Sequence, residues 1–185
     1  MRATASNDPT ESSDAVGLVV ALLVRCAEIA TIASHPRAGT IVLTFVVRRR
    51  IDRTEAGALE ESVAEHVRSL LDVEGEEALA PAVSCESDDG VTFVRVACQA
   101  RTFNRSTLAM LRALFADRYG DALLTSPVQD DASDEDQASA DELIDGAIEA
   151  LRDSSRQKSL VGVREEKRVL VYFLKARKSM KAAAR

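Results

Sequence analysis

The sequence predicts an α+β fold, and three observations carry that prediction. Residues 40–47, TIVLTFVV, form an apolar and β-branched run of strand length directly after Gly39. An Asp89-Gly90 pair separates two alternating segments, which is a short-hairpin signal. Apolar residues recur at intervals of three and four after Asp52, Asn104 and Ser139, each a residue type that caps helix N-termini.

Taken in order, residues 1–14 (MRATASNDPTESSD) are too polar to bury a face and are expected to be a disordered leader. Asp14 then caps a helix expected over residues 15–34, with Val16, Leu18, Val19, Leu22, Leu23, Ala27, Ile29 and Ile32 spread around most of its circumference. Such a helix has to be covered on several sides, by the sheet or by another subunit. Its uninterrupted apolar part, residues 18–24, is far shorter than the ~20 residues a bilayer demands, so no membrane span is expected. Pro36 and Gly39 end it.

The run from Thr40 closes on Arg48, Arg49 and Arg50 and reads as the central strand. Ile41, Leu43, Phe45 and Val47 lie on one side; Val42, Thr44 and Val46 make the other side apolar but softer. Asp52 and Glu55 have capping-box spacing, and Ala56, Leu59, Val63, Val67 and Leu70 give the next helix its buried side until about residues 72–75. Strands are expected over 79–86 and 91–101. Their turn puts Cys85 opposite Val94 and Cys98 opposite Pro81, out of reach of each other for a disulfide.

Asn104 caps a helix with Leu108, Leu111, Leu114, Phe115 and Tyr119 inward, stopped by Gly120. Residues 122–125 are a short strand or the approach to Pro127, and 126–140 is expected to be an acidic flexible loop. Ser139 and Glu142 open a helix to Arg152 that buries Leu143, Ile144, Ala147, Ile148 and Leu151. A last hairpin, 160–164 with 168–175, is apolar on both faces and so is expected to join the main sheet. Residues 176–185 are expected to be a basic disordered tail. The order of elements matches a ferredoxin-like (split β-α-β) core with an added N-terminal helix and a C-terminal helix plus hairpin, the C-terminal addition supplying the fourth strand of one domain over 15–175.

Charge is segregated along the chain. Residues 130–149 hold nine acidic and no basic side chains, so leaving them out of the net −6 gives +3 for the rest. The start lacks a basic, then apolar, export signal, and three cysteines without paired spacing fit a reducing cytoplasm.

Catalytic and cofactor motifs do not emerge. There is no glycine-rich phosphate loop and no G-x-S-x-G; His35 and His66 have no partner at metal-ligand spacing; the acidic run lacks the glycine and glutamate of an EF-hand. No catalytic residue, metal or cofactor is therefore expected. The candidate site is a set of arginines, Arg48, Arg50, Arg95, Arg101 and Arg105 with Arg49 and Arg53 beside them, expected to gather at one end of the sheet around an anionic ligand or partner.

The leading functional expectation is a non-enzymatic binding or regulatory module that self-associates through its apolar helix or sheet. Two alternatives stand beside it. GVTFVRV is loosely similar to an RNA-recognition strand, without the paired aromatics that stack bases, which makes an RNA-binding module one alternative. A small enzyme with a carboxylate base such as Glu86 and arginine anion clamps is the other.

Overall fold

The computed structural model describes residues 9–77, 79–126, 134–153, 158–165 and 168–174. Among them are four helices, α1 (Pro9–Arg25), α2 (Arg53–Glu74), α3 (Arg105–Tyr119) and α4 (Asp134–Arg152), and six strands. The strands are β1 (Thr31–His35), β2 (Thr40–Val47), β3 (Ala82–Asp88), β4 (Val91–Gln99), β5 (Ser159–Glu165) and β6 (Arg168–Leu174). They form one sheet in the order β3-β4-β2-β1-β5-β6, every neighbouring pair antiparallel. The mixed helix-and-sheet expectation holds in that form. No helix among the described residues is long and apolar enough to cross a membrane.

The central strand, its neighbours and their caps follow local chemistry. Asp52 accepts a hydrogen bond from the Glu55 amide at 2.8 Å, while the Glu55 side chain turns away to Arg49. Gly75 closes α2 at φ 72°, a conformation that costs glycine nothing. Asn104 accepts from the Thr107 amide at 2.9 Å and starts α3. The β3-β4 hairpin turns at Asp89-Gly90, and its register pairs Cys85 with Val94.

Several expectations are corrected. The helix expected over 15–34 stops at Arg25, and Thr31–His35 is instead β1, lying between β2 and β5. The cause is tertiary. The Arg164 guanidinium donates to the carbonyls of Cys26 (2.9 Å) and Ala27 (3.4 Å), satisfying the end of α1, while the Ala30 amide donates to Thr44 O and commits the chain to the sheet. The fourth strand beside β2, β4 and β3 is thus β1, not the C-terminal addition, which extends the sheet beyond it as β5 and β6.

Helix α1 also begins inside the expected leader, whose residues 1–8 lie outside the described ones. Likewise α4 begins at Asp134, within the stretch expected as loop, so Ser139 is interior to the helix rather than its cap; residues 127–133 and the tail 175–185 lie outside the described residues. Residues 122–125 contribute a 3-10 turn (Gly120–Ala122) and a single bridge, Val47 to Leu123.

All four helices pack on one face of the sheet. Strand register places Ile41, Leu43, Phe45 and Val47 on that face together with Val94, Val96, Cys98, Ile32, Ser34 and Gly162. Phe115 of α3 stacks on Phe45 with centroids 3.8 Å apart. The Ser34 hydroxyl donates to Leu151 O of α4. Val67 and Leu71 of α2 lie beside Cys98. Gly162 lets α1 approach closely, because a Cβ there would stand 2.7 Å from Leu23 Cδ1 and Val19 Cγ1. Burying each leucine or phenylalanine of this layer contributes about 2 to 3 kcal/mol, which makes it the stabilising core.

Candidate functional site

The arginines do not converge. Because β2 and β4 are antiparallel, Arg48, Arg49 and Arg50 at the end of β2 lie beside the start of β4, whereas Arg101 follows the end of β4 at the opposite end of the strands. Arg95 sits midway on the helix-free face, and Arg105 opens α3 near Arg101. The expected gathering at one end is therefore corrected: an antiparallel pairing sends the two arginine-bearing strand ends apart.

Most of these side chains already have partners. Arg48 donates to Asp121 O at 2.6 Å, and Arg49 binds both Glu55 oxygens at 2.6 and 2.7 Å while lying 5.3 Å from the Tyr119 ring centre. Arg95 pairs with Glu86 at 2.7 Å, and Arg105 with Asp141 at 2.7 Å. Arg101 reaches Glu77 O at 3.3 Å. Arg50 and Arg53 are exposed without a side-chain partner among the described residues. A cleft of about 310 Å³ between α3 and α4 is lined by Arg105, Leu108, Arg112, Asp141 and Ile144. Its two arginines are committed to Asp141 and Glu28.

The carboxylate-base constellation is likewise dispersed: Glu86 and Arg95 form an exposed pair, and Arg101 lies beyond the far end of β4. His66 Nδ1 meets Ser62 O at 2.7 Å and His35 Nδ1 meets Ser159 Oγ at 3.1 Å. Among the described residues no three His, Cys, Asp or Glu side chains are grouped to hold a metal. The buried thiols are poor nucleophiles, since burial pushes Cys98 up to about 12 and raises Cys26 as well.

One inner polar cluster is structural. Arg112 binds Glu28 through Nε and NH2 at 2.8 and 3.1 Å, next to the Arg164 contacts that end α1. Burial pushes the Glu28 carboxyl up, but the hydrogen bond from Arg112, a backbone hydrogen bond and the two nearby guanidiniums outweigh it and hold the carboxyl below its ordinary value.

What the topology does assemble is an apolar sheet face with no described element over it. Register puts Val42, Val46, Phe93, Ala97, Ala33, Val161, Val163, Leu170, Tyr172 and Leu174 on this side. Their exposure rises toward the β6 edge, where Tyr172 is 50% and Leu174 48% exposed. Val46 is nonetheless covered, flanked by Phe93 across the ladder and by Leu124, whose amide donates to Val46 O. At the centre, Thr31 Oγ1 donates to Thr44 Oγ1 at 2.7 Å, so these hydroxyls satisfy each other.

The signal for this face was present in the sequence as strands apolar on both sides. That pattern reads as burial on both sides. Only the placement of all four helices on one face leaves the second open. In comparisons with known proteins, no family model, no curated protein and no solved structure matches this chain.

Proposed function

We propose that this protein is a non-enzymatic interaction module whose working surface is the helix-free face of its sheet. The observation that carries the proposal is the contiguous apolar side of β2, β1, β5 and β6, set against a helix-covered face whose central residues are buried as the core and on which Phe173 at the β6 edge stays 37% exposed. Exposed apolar patches of this kind mark docking surfaces, since leaving them in water is costly. The non-enzymatic component is supported by the separation of Arg101 from the Glu86-Arg95 pair and by the ion pairs that occupy Arg49, Arg95 and Arg105. An RNA-binding role gains no support from a face whose described arginines, Arg95 and Arg168, are paired with Glu86 and Glu165.

The proposal extends to the fold and the compartment. The unit β2-α2-β3-β4-α3, with β4 between β2 and β3, is a ferredoxin-like core in which β1 takes the place of the closing strand. A cytoplasmic setting suits three free thiols.

The test is a triple variant, Val163→Glu, Leu170→Glu and Tyr172→Glu. If the face is an outer surface, the dilute variant keeps a dispersed amide NMR spectrum and native near-ultraviolet circular dichroism. Loss of the fold would make the face part of the chain's own core and remove the proposal.

A further inference from the structure

The occupant of the open face can be argued from its charge pattern, its size and its polar centre. The ionised side chains across it are Arg95 and Glu86 on one flank, joined at 2.7 Å, and Glu165 and Arg168 on the other, joined at 2.8 Å, with Asp88 beyond them at the hairpin turn. The first flank thus carries Arg95 with Glu86 and Asp88, the second Arg168 with Glu165, so each offers both signs, although the chain as a whole has a net charge of −6. A strongly basic or acidic partner gains little from such a surface. A surface that offers both signs on each rim and apolar groups between them is complementary to itself.

Size agrees. Six strands at about 4.8 Å spacing and seven residues at about 3.3 Å span roughly 24 Å by 23 Å. Side-chain relief brings such a footprint toward the ~800 Å² per partner of a standard stable interface. The centre can be desolvated at little cost, because the Thr31 and Thr44 hydroxyls are already bonded to each other and His35 to Ser159. Tyr172 and Leu174 provide the large, half-exposed anchors that dominate interface energetics.

We propose that the open face is closed by a second copy of this chain, packed sheet to sheet about a two-fold axis. This rests on the reading of the face as a docking surface. Helix α1, the other expected self-association element, is already occupied: Val19, Leu22, Leu23 and Cys26 are fully buried against the sheet and α4. Isologous packing would bury the apolar face of each sheet, from β2 through β1 and β5 to β6, against its counterpart and leave the Arg95-Glu86 and Glu165-Arg168 pairs at the rim.

The experiment is sedimentation velocity of the full chain over a wide concentration range. It compares wild type, Leu170→Glu, Tyr172→Glu and, as a control outside the face, Val73→Glu, with circular dichroism confirming that each is folded. Wild type and Val73→Glu are expected to dimerise, and either face variant to weaken dimerisation about 30-fold or more. A folded wild type that stays monomeric at every concentration overturns the second copy while leaving the docking surface open to another partner. A dimer that persists undiminished in both face variants overturns the assigned interface. Face variants that lose the fold overturn the docking-surface reading itself.

Discussion

The two faces of the sheet are built from the same strands by the same alternation, yet they answer to different pressures. On β2, Ile41, Leu43, Phe45 and Val47 are completely buried beneath helices, while Val42 one residue away looks out on the other side and stays partly exposed. Hydrophobicity alone therefore does not define a core. The core is where the chain's own helices supply the partner layer; the remaining apolar face is a surface awaiting one.

The largest effect that separates the faces is expected from truncating aromatic residues. Phe45→Ala removes the ring stacked on Phe115 and is expected to cost about 3 to 5 kcal/mol in urea unfolding. Phe93→Ala, on the open face and only partly buried, is expected to cost the dilute protein about 1 kcal/mol. Equal costs would mean that both faces are core. Next, Gly162→Val should crowd Leu23 and Val19 under α1 and destabilise by about 1 to 3 kcal/mol, whereas Val161→Thr on the adjoining open-face position should shift the midpoint little.

The Glu28-Arg112 pair gives a smaller, pH-dependent effect. Its carboxyl is held below the ordinary 4.5, so its stabilisation is present above that value and is lost as pH falls through the lower folded-state value. Glu28→Gln should therefore cost about 1.5 kcal/mol at pH 7, with the gap to wild type closing on acidification below 4.5. A gap that widens in acid would reverse the assigned sign. The smallest effect belongs to the rim: Arg95→Ala breaks an ion pair whose partners are 45% and 65% exposed, and should change unfolding of the dilute protein by less than about 0.5 kcal/mol.

Much of the helix-covered side was legible in sequence. The limits of β2, the Asp52 and Asn104 caps and the Cys85-Val94 register depend on residues close in the chain, where propensity and turn chemistry decide. The end of α1 was not legible, because residues 25–34 contain no proline or glycine to break a helix and their short apolar pattern fits helix or strand. The contact that settles it comes from Arg164, 138 residues after Cys26.

The arginine site failed for another reason. Strand β4 runs antiparallel to β2, so arginines that close the two strands lie at opposite ends of the sheet, and the sequence alone carries no sign of that direction. The open face sat in plain view as strands apolar on both sides, and only a count of which layer the helices cover could separate interface from core.

The most direct measurement is residue-resolved hydroxyl-radical footprinting of the native protein across concentration. Phe93, Leu170, Tyr172 and Leu174 are predicted to be labelled in dilute solution and protected as concentration rises, while Leu43, Phe45 and Phe115 remain unlabelled throughout. Open-face residues that stay unlabelled even at high dilution, or labelled at every concentration, would contradict an outer surface closed by a second copy.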